Sequence, residues 1–242
     1  MKKFVLYLFI FTILLVITGC NNTLDNKKSS SDSISKTSDQ ISTINLSKNI
    51  IRAKGESIYG ELLILPQEIE SIDQLGADSS YGKSTDFSFQ SNYNVMYKNK
   101  NNEIKLIAKL EDLKIIQPLN SIIKLNKLES KDFDLFCFTP QYTGARSIDA
   151  YFFCITKEQT ASEFQFEYNK ADNNEYKNIL TNTTTLLPQI MKEYVSPKLQ
   201  DSNLITKTSL DISVMDFRIF QVIYKPDFKN KVMKFVKREQ LN

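Results

Sequence analysis

Two stretches decide the fold of this 242-residue chain: FDLFCFT at residues 133–139 and IDAYFFCIT at residues 148–156. Both are apolar at odd and at even positions, so a strand built from either stretch would bury both of its faces. The segment PQYTGARS at residues 140–147 lies between them and contains proline and glycine, which favour turns. The sequence therefore predicts a β-hairpin that is central and buried in its domain.

Further strand patterns surround this hairpin. Apolar or alternating runs of strand length lie at residues 61–65, 87–89, 94–97, 103–107, 162–168, 217–224 and 231–236. The polar segments KNKNN at residues 98–102 and KPDFKN at residues 225–230 each separate two of these runs, so each predicts a hairpin turn. In residues 162–168 aromatic and polar side chains alternate, which is typical of a half-buried strand.

One segment has the period of a helix instead. Its apolar residues recur at helical spacing, namely Leu186, Leu187, Ile190, Met191 and Tyr194. Thr185 would cap this helix and Pro197 would end it. We therefore expect a mainly β fold, an antiparallel sheet arranged as a sandwich or barrel, with one helix around residues 184–196. An α+β arrangement is the alternative, whereas a doubly wound sheet would need strands and helices that alternate.

The first twenty residues divide into three zones. Lys2 and Lys3 are basic, residues 4–17 are almost unbroken apolar sequence, and Thr18-Gly19 are small residues directly before Cys20. A secretory signal has this layout. The apolar run is short for a membrane-spanning helix, which needs roughly 20 apolar residues.

The tetrapeptide Ile17-Thr18-Gly19-Cys20 resembles the lipobox of bacterial lipoproteins. The resemblance covers these first twenty residues alone, and no family resemblance extends to the rest of the chain. It implies that Ile17, Thr18 and Gly19 are recognised by signal peptidase II and that Cys20 becomes the lipidated N-terminus. It also implies a location on the extracytoplasmic face of the bacterial cell membrane, where the diacylglycerol on Cys20 is the membrane contact.

The chain then divides into three parts. Residues 1–19 form the signal peptide, and residues 20–49 form a disordered tether rich in Ser, Asn, Thr, Asp and Lys. From residue 50 onward Phe, Tyr, Ile and Leu become frequent and remain so. Residues 50–242 are enough for one sizeable core, so we expect a single β-rich domain.

Composition narrows the chemistry. The absence of histidine excludes a Ser-His-Asp triad, a Cys-His pair and imidazole metal ligands. The formal charge is +3, and loss of Lys2 and Lys3 with the signal leaves 29 basic and 28 acidic residues. This balance gives no support for nucleic-acid binding, which shows as a clustered basic face. The few glycines form no phosphate-binding loop, and we expect no cofactor.

Two cysteines remain once Cys20 is lipidated. If the hairpin turn is centred between Ala145 and Arg146, Cys137 and Cys154 lie directly opposite each other. An exported protein sits where disulfides persist, so we expect a possible disulfide between them. The alternative is two buried thiols that pack as small apolar side chains.

The hairpin loop is the best candidate for a binding surface. Tyr142, Thr143 and Arg146 offer an aromatic ring, a hydroxyl and a guanidinium on a loop held by two buried strands. Loops supported in this way often carry function. The alternative is an ordinary turn in which Gly144 adopts a positive φ.

Asp132 and Asp134 flank Phe133 at the start of the first stretch. On a strand they would point to the same face, where paired carboxylates can shift each other's pKa or hold a cation. Residues 126–135 loosely resemble the acidic loop of calcium-binding propeller repeats, but Leu128 and Ser130 occupy acidic positions of that pattern. We therefore predict no metal site there.

Basic residues collect near the C-terminus, at Lys225, Lys229, Lys231, Lys234, Lys237 and Arg238. These residues could bind anionic lipid or wall polymer. Alternatively, they form a solvated strand edge whose lysines prevent aggregation. The sequence as a whole favours a membrane-anchored, non-catalytic module that binds or assembles an unidentified envelope protein or wall polymer. The alternatives are an envelope hydrolase that uses carboxylates, and a solute-binding lipoprotein of a transporter.

Overall fold

Strands make up most of the described chain, and the predicted mainly β fold is confirmed. The structure is a computed structural model that describes residues 50–141, 148–172, 175–187, 196–213 and 216–241. These residues lie within one compact unit, Ile41–Asn242. The predicted signal peptide and the whole of the predicted tether lie outside the described residues.

The strands that come first along the chain form the first sheet. They are β1 (Ala53–Ser57), β2 (Gly60–Pro66), β3 (Ser71–Gln74), β4 (Phe87–Asn99), β5 (Ile104–Gln117) and β6 (Ile123–Lys124). Their order is β3-β4-β2-β1-β6, and β5 pairs with β4. All neighbours are antiparallel except β1 and β6, which run parallel.

The later strands form the second sheet. They are β7 (Asn126–Glu129), β8 (Phe133–Phe138), β9 (Ile148–Thr156), β10 (Ala161–Asp172), β11 (Glu175–Thr181), β12 (Thr184–Leu186), β13 (Lys198–Gln200), β14 (Asn203–Ser213), β15 (Asp216–Asp227) and β16 (Val232–Leu241). Their order is β13-β14-β15-β16-β10-β9-β8-β7, with β11 beside β10 and β12 beside β9. The outermost strands of this sheet, β7 and β13, contact each other, which brings its two edges together. The two sheets form a nearly closed, barrel-like sandwich.

The β8–β9 hairpin separates two hydrophobic cores. Phe136 and Phe153 point into the first core, where they meet residues of the first sheet such as Leu62. Phe152 and Leu135 point into the second core, which the second sheet encloses by curling around it. The prediction of a central hairpin that is buried on both faces is confirmed.

The predicted register of this hairpin is wrong by two residues. Phe152 lies opposite Cys137, and Leu135 lies opposite Cys154. The two cysteines share the second core but are not directly paired, and both thiols are free. The expected Cys137–Cys154 disulfide is therefore absent. Burial raises the pKa of the Cys154 thiol to about 12 and that of Cys137 higher still.

The predicted helix around residues 184–196 is not seen in the described part of the chain. Thr184–Leu186 is the strand β12, which pairs with residues 148–150 of β9. Two β-branched threonines favour a strand, and β9 offers an open edge beyond its pairing with β10. Leu186 points into the second core. Residues 188–195 lie outside the described residues.

Both turns predicted from polar segments are confirmed. The β4–β5 hairpin turns after Asn99, whose backbone N–H donates to the carbonyl of Glu103 at 2.9 Å, while Asn102 adopts a φ of 65°. The β15–β16 hairpin turns after Asp227, where the Asp227 carboxylate accepts hydrogen bonds from Asn230. Asparagine and aspartate suit these positions because their side chains bond to local backbone and tolerate positive φ.

Candidate binding cleft and charged clusters

A cleft lies where the chain passes from the first sheet to the second. The backbone N–H of Ile123 donates to the carbonyl of Arg52 at 2.9 Å, and that of Leu125 donates to Lys54 at 2.8 Å. These bonds hold β6 alongside β1. The chain then continues into β7, which pairs with β8, so β1, β6, β7 and β8 enclose the cleft.

The cleft has an apolar floor and a charged rim, and its volume is about 500 Å³. It is lined by Lys54, Glu56, Ile122, Ile123, Lys124, Leu125, Lys127 and Phe136. Gly55 makes this floor possible, since a Cβ at that position would lie only 2.6 Å from Cδ1 of Phe136. The aromatic ring therefore packs directly against the backbone of β1.

The rim carries three lysines, of which two form ion pairs. Lys54 contacts Glu56 at 2.8 Å, and this hydrogen bond raises the pKa of Lys54 and lowers that of Glu56. Lys127 contacts Glu129 at 2.5 Å, which raises the pKa of Lys127 in the same way. Lys124 is exposed and makes no ion pair within 4 Å among the described residues, although its charge contributes to lowering the pKa of Glu56.

The loop residues singled out from the sequence, Tyr142, Thr143 and Arg146, lie outside the described residues. The lipobox residues Ile17, Thr18, Gly19 and Cys20 lie outside them as well. Sequence reasoning did not find the cleft, because its walls come from segments that are distant along the chain. The local clue available was the alternation of apolar and polar residues from Ile123 to Asn126, next to Lys127.

Asp132 and Asp134 do not form a carboxylate pair. Asp132 is exposed in the turn before β8 and pairs with Lys157, which lowers the pKa of Asp132. Asp134 is buried and accepts a 2.5 Å hydrogen bond from the Ser57 hydroxyl. Asp132 precedes β8, so it need not point to the same face as Asp134, as alternate residues within a strand do. The described residues contain no group of three His, Cys, Asp or Glu that could hold a metal ion.

A buried ion pair closes one end of the first core. The Arg52 guanidinium donates to both carboxylate oxygens of Glu70, at 2.8 Å from Nε and 2.5 Å from Nη2. It also lies over the ring of Phe89 at 3.7 Å. The Tyr93 hydroxyl donates to Glu70 Oε1 at 2.8 Å, and burial together with this contact raises the pKa of Tyr93. Because the charge of Arg52 is matched by that of Glu70, we interpret this cluster as structural.

The basic residues near the C-terminus lie on the β15–β16 hairpin. Lys234 pairs with Asp227 at 2.8 Å, and this contact lowers the pKa of Asp227. Lys237 pairs with Glu239 at 2.7 Å. Neighbouring acids on the same hairpin thus neutralise two of the six basic residues.

Glu163 of β10 is a charged residue in an apolar setting. It lies opposite Phe153 in the strand pairing, and β10 contacts β5 of the first sheet. The side chain is half-buried, and its Oε1 atom has no hydrogen-bond partner. Burial raises the pKa of Glu163 to about 7. The sequence placed it among solvent-facing residues, since nothing local indicates that the first sheet covers that face.

We expect Glu163→Gln to stabilise the protein at pH 8. The folded protein binds the proton more tightly than the unfolded chain, so Glu163 makes the free energy of unfolding fall as pH rises from about 4.5 to 7. The gain in the variant should be about 1–2 kcal/mol at pH 8, because partial solvent access weakens the effect, and small at pH 5. Urea unfolding monitored by circular dichroism at both pH values measures this difference.

The matched control is Glu158→Gln, which changes an exposed glutamate in the β9–β10 turn. It should leave the difference in stability between pH 5 and pH 8 unchanged. If Glu163→Gln also leaves it unchanged, Glu163 does not titrate near neutral pH.

No helix among the described residues is long and apolar enough to cross a membrane. Comparisons of the chain with protein families, with curated proteins and with solved structures find no match.

Proposed function

We propose that this protein is a lipoprotein held on the extracytoplasmic face of a bacterial cell membrane by lipidated Cys20. One observation carries the proposal: Ile17-Thr18-Gly19-Cys20 directly follows an apolar run that begins after Lys2 and Lys3. Basic residues, apolar run and box occur together at the spacing that signal peptidase II requires. The two or three acyl chains of this modification would make attachment stable, because each buried methylene contributes ~0.8 kcal/mol.

The β-rich domain is proposed to act as a non-catalytic module that binds or assembles another envelope component. The cleft at β1 and β6 supports this role, since it combines an apolar floor with the exposed side chain of Lys124. Its ligand would be an anionic group with an apolar part, on an envelope protein or a wall polymer. A flexible tether of ~28 residues would reach roughly 30 Å from the lipid surface.

Two alternatives use other parts of the chain. A hydrolase that uses carboxylates would need two carboxyl groups roughly 5–9.5 Å apart across a cleft. Asp132 and Asp134 have separate partners, which favours the non-catalytic role. A solute-binding subunit of a transporter usually has two α/β lobes, whereas both sheets described here belong to one β-rich unit.

Replacement of the lipidated cysteine tests the anchor. In bacteria that are fed an alkyne analogue of palmitate, the full chain should take up the label and fractionate with membranes. Cys20→Ser should abolish the label and release the protein from the membrane. The control Cys137→Ala/Cys154→Ala keeps Cys20 and should retain the label. Label that persists in Cys20→Ser, or that never appears, contradicts the lipoprotein assignment.

Photo-crosslinking tests the binding role separately. A photoreactive residue in place of Ile122, which lines the cleft and leaves Lys124 intact, should trap an envelope component, and one in place of Lys109 should not, because Lys109 is exposed on β5 outside the cleft. Equal trapping at both positions would argue against the cleft. Hydrolysis of an envelope polymer that is lost in Asp132→Asn would argue for the enzymatic alternative.

A further inference from the structure

Three large apolar side chains are exposed around the start of β1. They are Ile50, Ile69 and Leu119, with exposed fractions of 53 %, 97 % and 46 %. An apolar side chain that is exposed by itself is normal on a protein surface, whereas a group of them marks a surface that contacts a protein or a membrane. The question is whether these three belong to one group and what they would contact.

Arg52 holds the segments of this group together. Its guanidinium donates to the carboxylate of Glu70, which directly follows Ile69. Its carbonyl accepts a 2.9 Å hydrogen bond from the backbone N–H of Ile123, four residues after Leu119. Both exposed side chains therefore lie close to the residue that precedes β1, although they are distant along the chain.

The chain also enters the domain at this place. Ile50 is the first residue that the structure describes, and it lies two residues before Arg52. From here β1 runs away to Ser57, a length of ~17 Å, so the following residue Ile58 marks the opposite end of the strand. We call the surface of Ile50, Ile69 and Leu119 the entry end.

A lipid anchor would keep the entry end near the membrane. Residues 21–49 join Cys20 to Ile50, and a random chain of this length reaches roughly 30 Å. A domain of about 190 residues has a radius of gyration of roughly 16 Å and therefore a diameter of roughly 40 Å. Because the reach is shorter than this diameter, the entry end lies on average closer to the lipid than the opposite end does.

We propose that the entry end rests on the bilayer that holds Cys20, with Ile50, Ile69 and Leu119 inserted among the lipid headgroups. Binding to such an interface grows with the apolar area that is buried. The anchor already supplies a high effective concentration of lipid, so three side chains suffice for contact. The cleft would then open near the lipid surface, since Ile122 lines it three residues after Leu119. This inference rests on the proposed lipid anchor.

Quenching by lipids tests the contact in the lipidated protein. The protein is reconstituted into vesicles of phosphatidylglycerol and phosphatidylethanolamine that carry a nitroxide on the acyl chains, near the headgroup. An environment-sensitive fluorophore is attached to the thiol of Ile69→Cys. The matched control is Ile58→Cys, at an isoleucine that is 67 % exposed at the opposite end of β1. Cys137 and Cys154 are buried, so the introduced thiol is the one that reacts. We expect at least twofold quenching at position 69 and none at position 58.

A second comparison tests whether the apolar side chains make the contact. With the fluorophore on Leu119→Cys, adding Ile69→Asp should at least halve the quenching, because a carboxylate is costly to move from water into lipid. Adding Ile58→Asp makes the same change at the opposite end and should leave the quenching as it was. Both isoleucines are exposed, so neither aspartate disturbs a core, and circular dichroism checks that each variant is folded.

The outcomes separate this inference from the anchor itself. A chain that carries no lipid on Cys20 overturns both. A lipidated chain in which position 69 is quenched no more than position 58 overturns the contact alone. The same holds if fluorescence at position 69 shifts to the blue without quenching, because a protein would then cover the residue. Quenching at position 119 that Ile69→Asp leaves unchanged also overturns the contact as proposed.

Discussion

Phe136→Ala should destabilise the protein by about 3–5 kcal/mol, which is a large part of the 5–15 kcal/mol that stabilises a typical domain. The ring is fully buried in the first core and lies against the backbone of Gly55. The strands on both sides are fixed by their pairing, so the space left by the ring cannot collapse. Removing the same ring volume from Phe152 empties the second core and should cost a similar amount.

The two variants together test whether the shared hairpin couples the cores. Because β8 and β9 contribute side chains to both, we expect one unfolding transition whose midpoint moves in either variant. Denaturant unfolding monitored by far-ultraviolet circular dichroism and by tyrosine fluorescence measures the number of transitions and their midpoints. Ile69→Ala, at a position 97 % exposed, should change the free energy of unfolding by less than about 0.5 kcal/mol. Two transitions, with Phe136→Ala moving only one, would show that the cores fold independently.

The hairpin illustrates how far the sequence could predict this fold. Apolar residues at both odd and even positions required two covered faces, and the structure supplies a core on each. This apolar pattern could not set the register between β8 and β9, because shifting one strand by two residues keeps every side chain on its face. Cys137 and Cys154 therefore share the predicted face, yet each lies opposite a different residue. The prediction that the two cysteines lie directly opposite each other is wrong at this step, and the free thiols correspond to the alternative of two buried thiols.

The remaining differences come from contacts between distant segments. Thr184–Leu186 pairs with β9, and this partner makes a strand of the residues at which local spacing predicted the start of a helix. The cleft depends on the parallel pairing of β1 with β6, and no local sequence pattern predicts this pairing. Glu163 follows the alternation of a solvent-facing residue, and only the approach of β5 gives it an apolar setting. Such positions are predictable only once the packing of the two sheets is known.

Arg52→Met should cost about 3–5 kcal/mol, because it leaves the Glu70 carboxylate buried without its counter-charge. The exposed fractions of the two side chains are 5 % and 3 %, so water cannot replace the lost partner. The hydroxyl of Tyr93 still donates to Glu70, but one hydrogen bond from an uncharged donor cannot offset a buried charge. The matched control Lys237→Met breaks the exposed pair with Glu239 and should cost less than about 0.5 kcal/mol.

The double variant Arg52→Met/Glu70→Leu separates the attraction within the pair from the cost of burying charge. With both charges gone, the site becomes apolar around Phe89, and the double variant should be more stable than Arg52→Met alone. Urea unfolding of the wild type, both single variants and the double variant gives the coupling energy. Losses that simply add would mean that Glu70 reaches solvent when Arg52 is removed. The pair would then behave like a surface salt bridge, despite its burial in the folded chain.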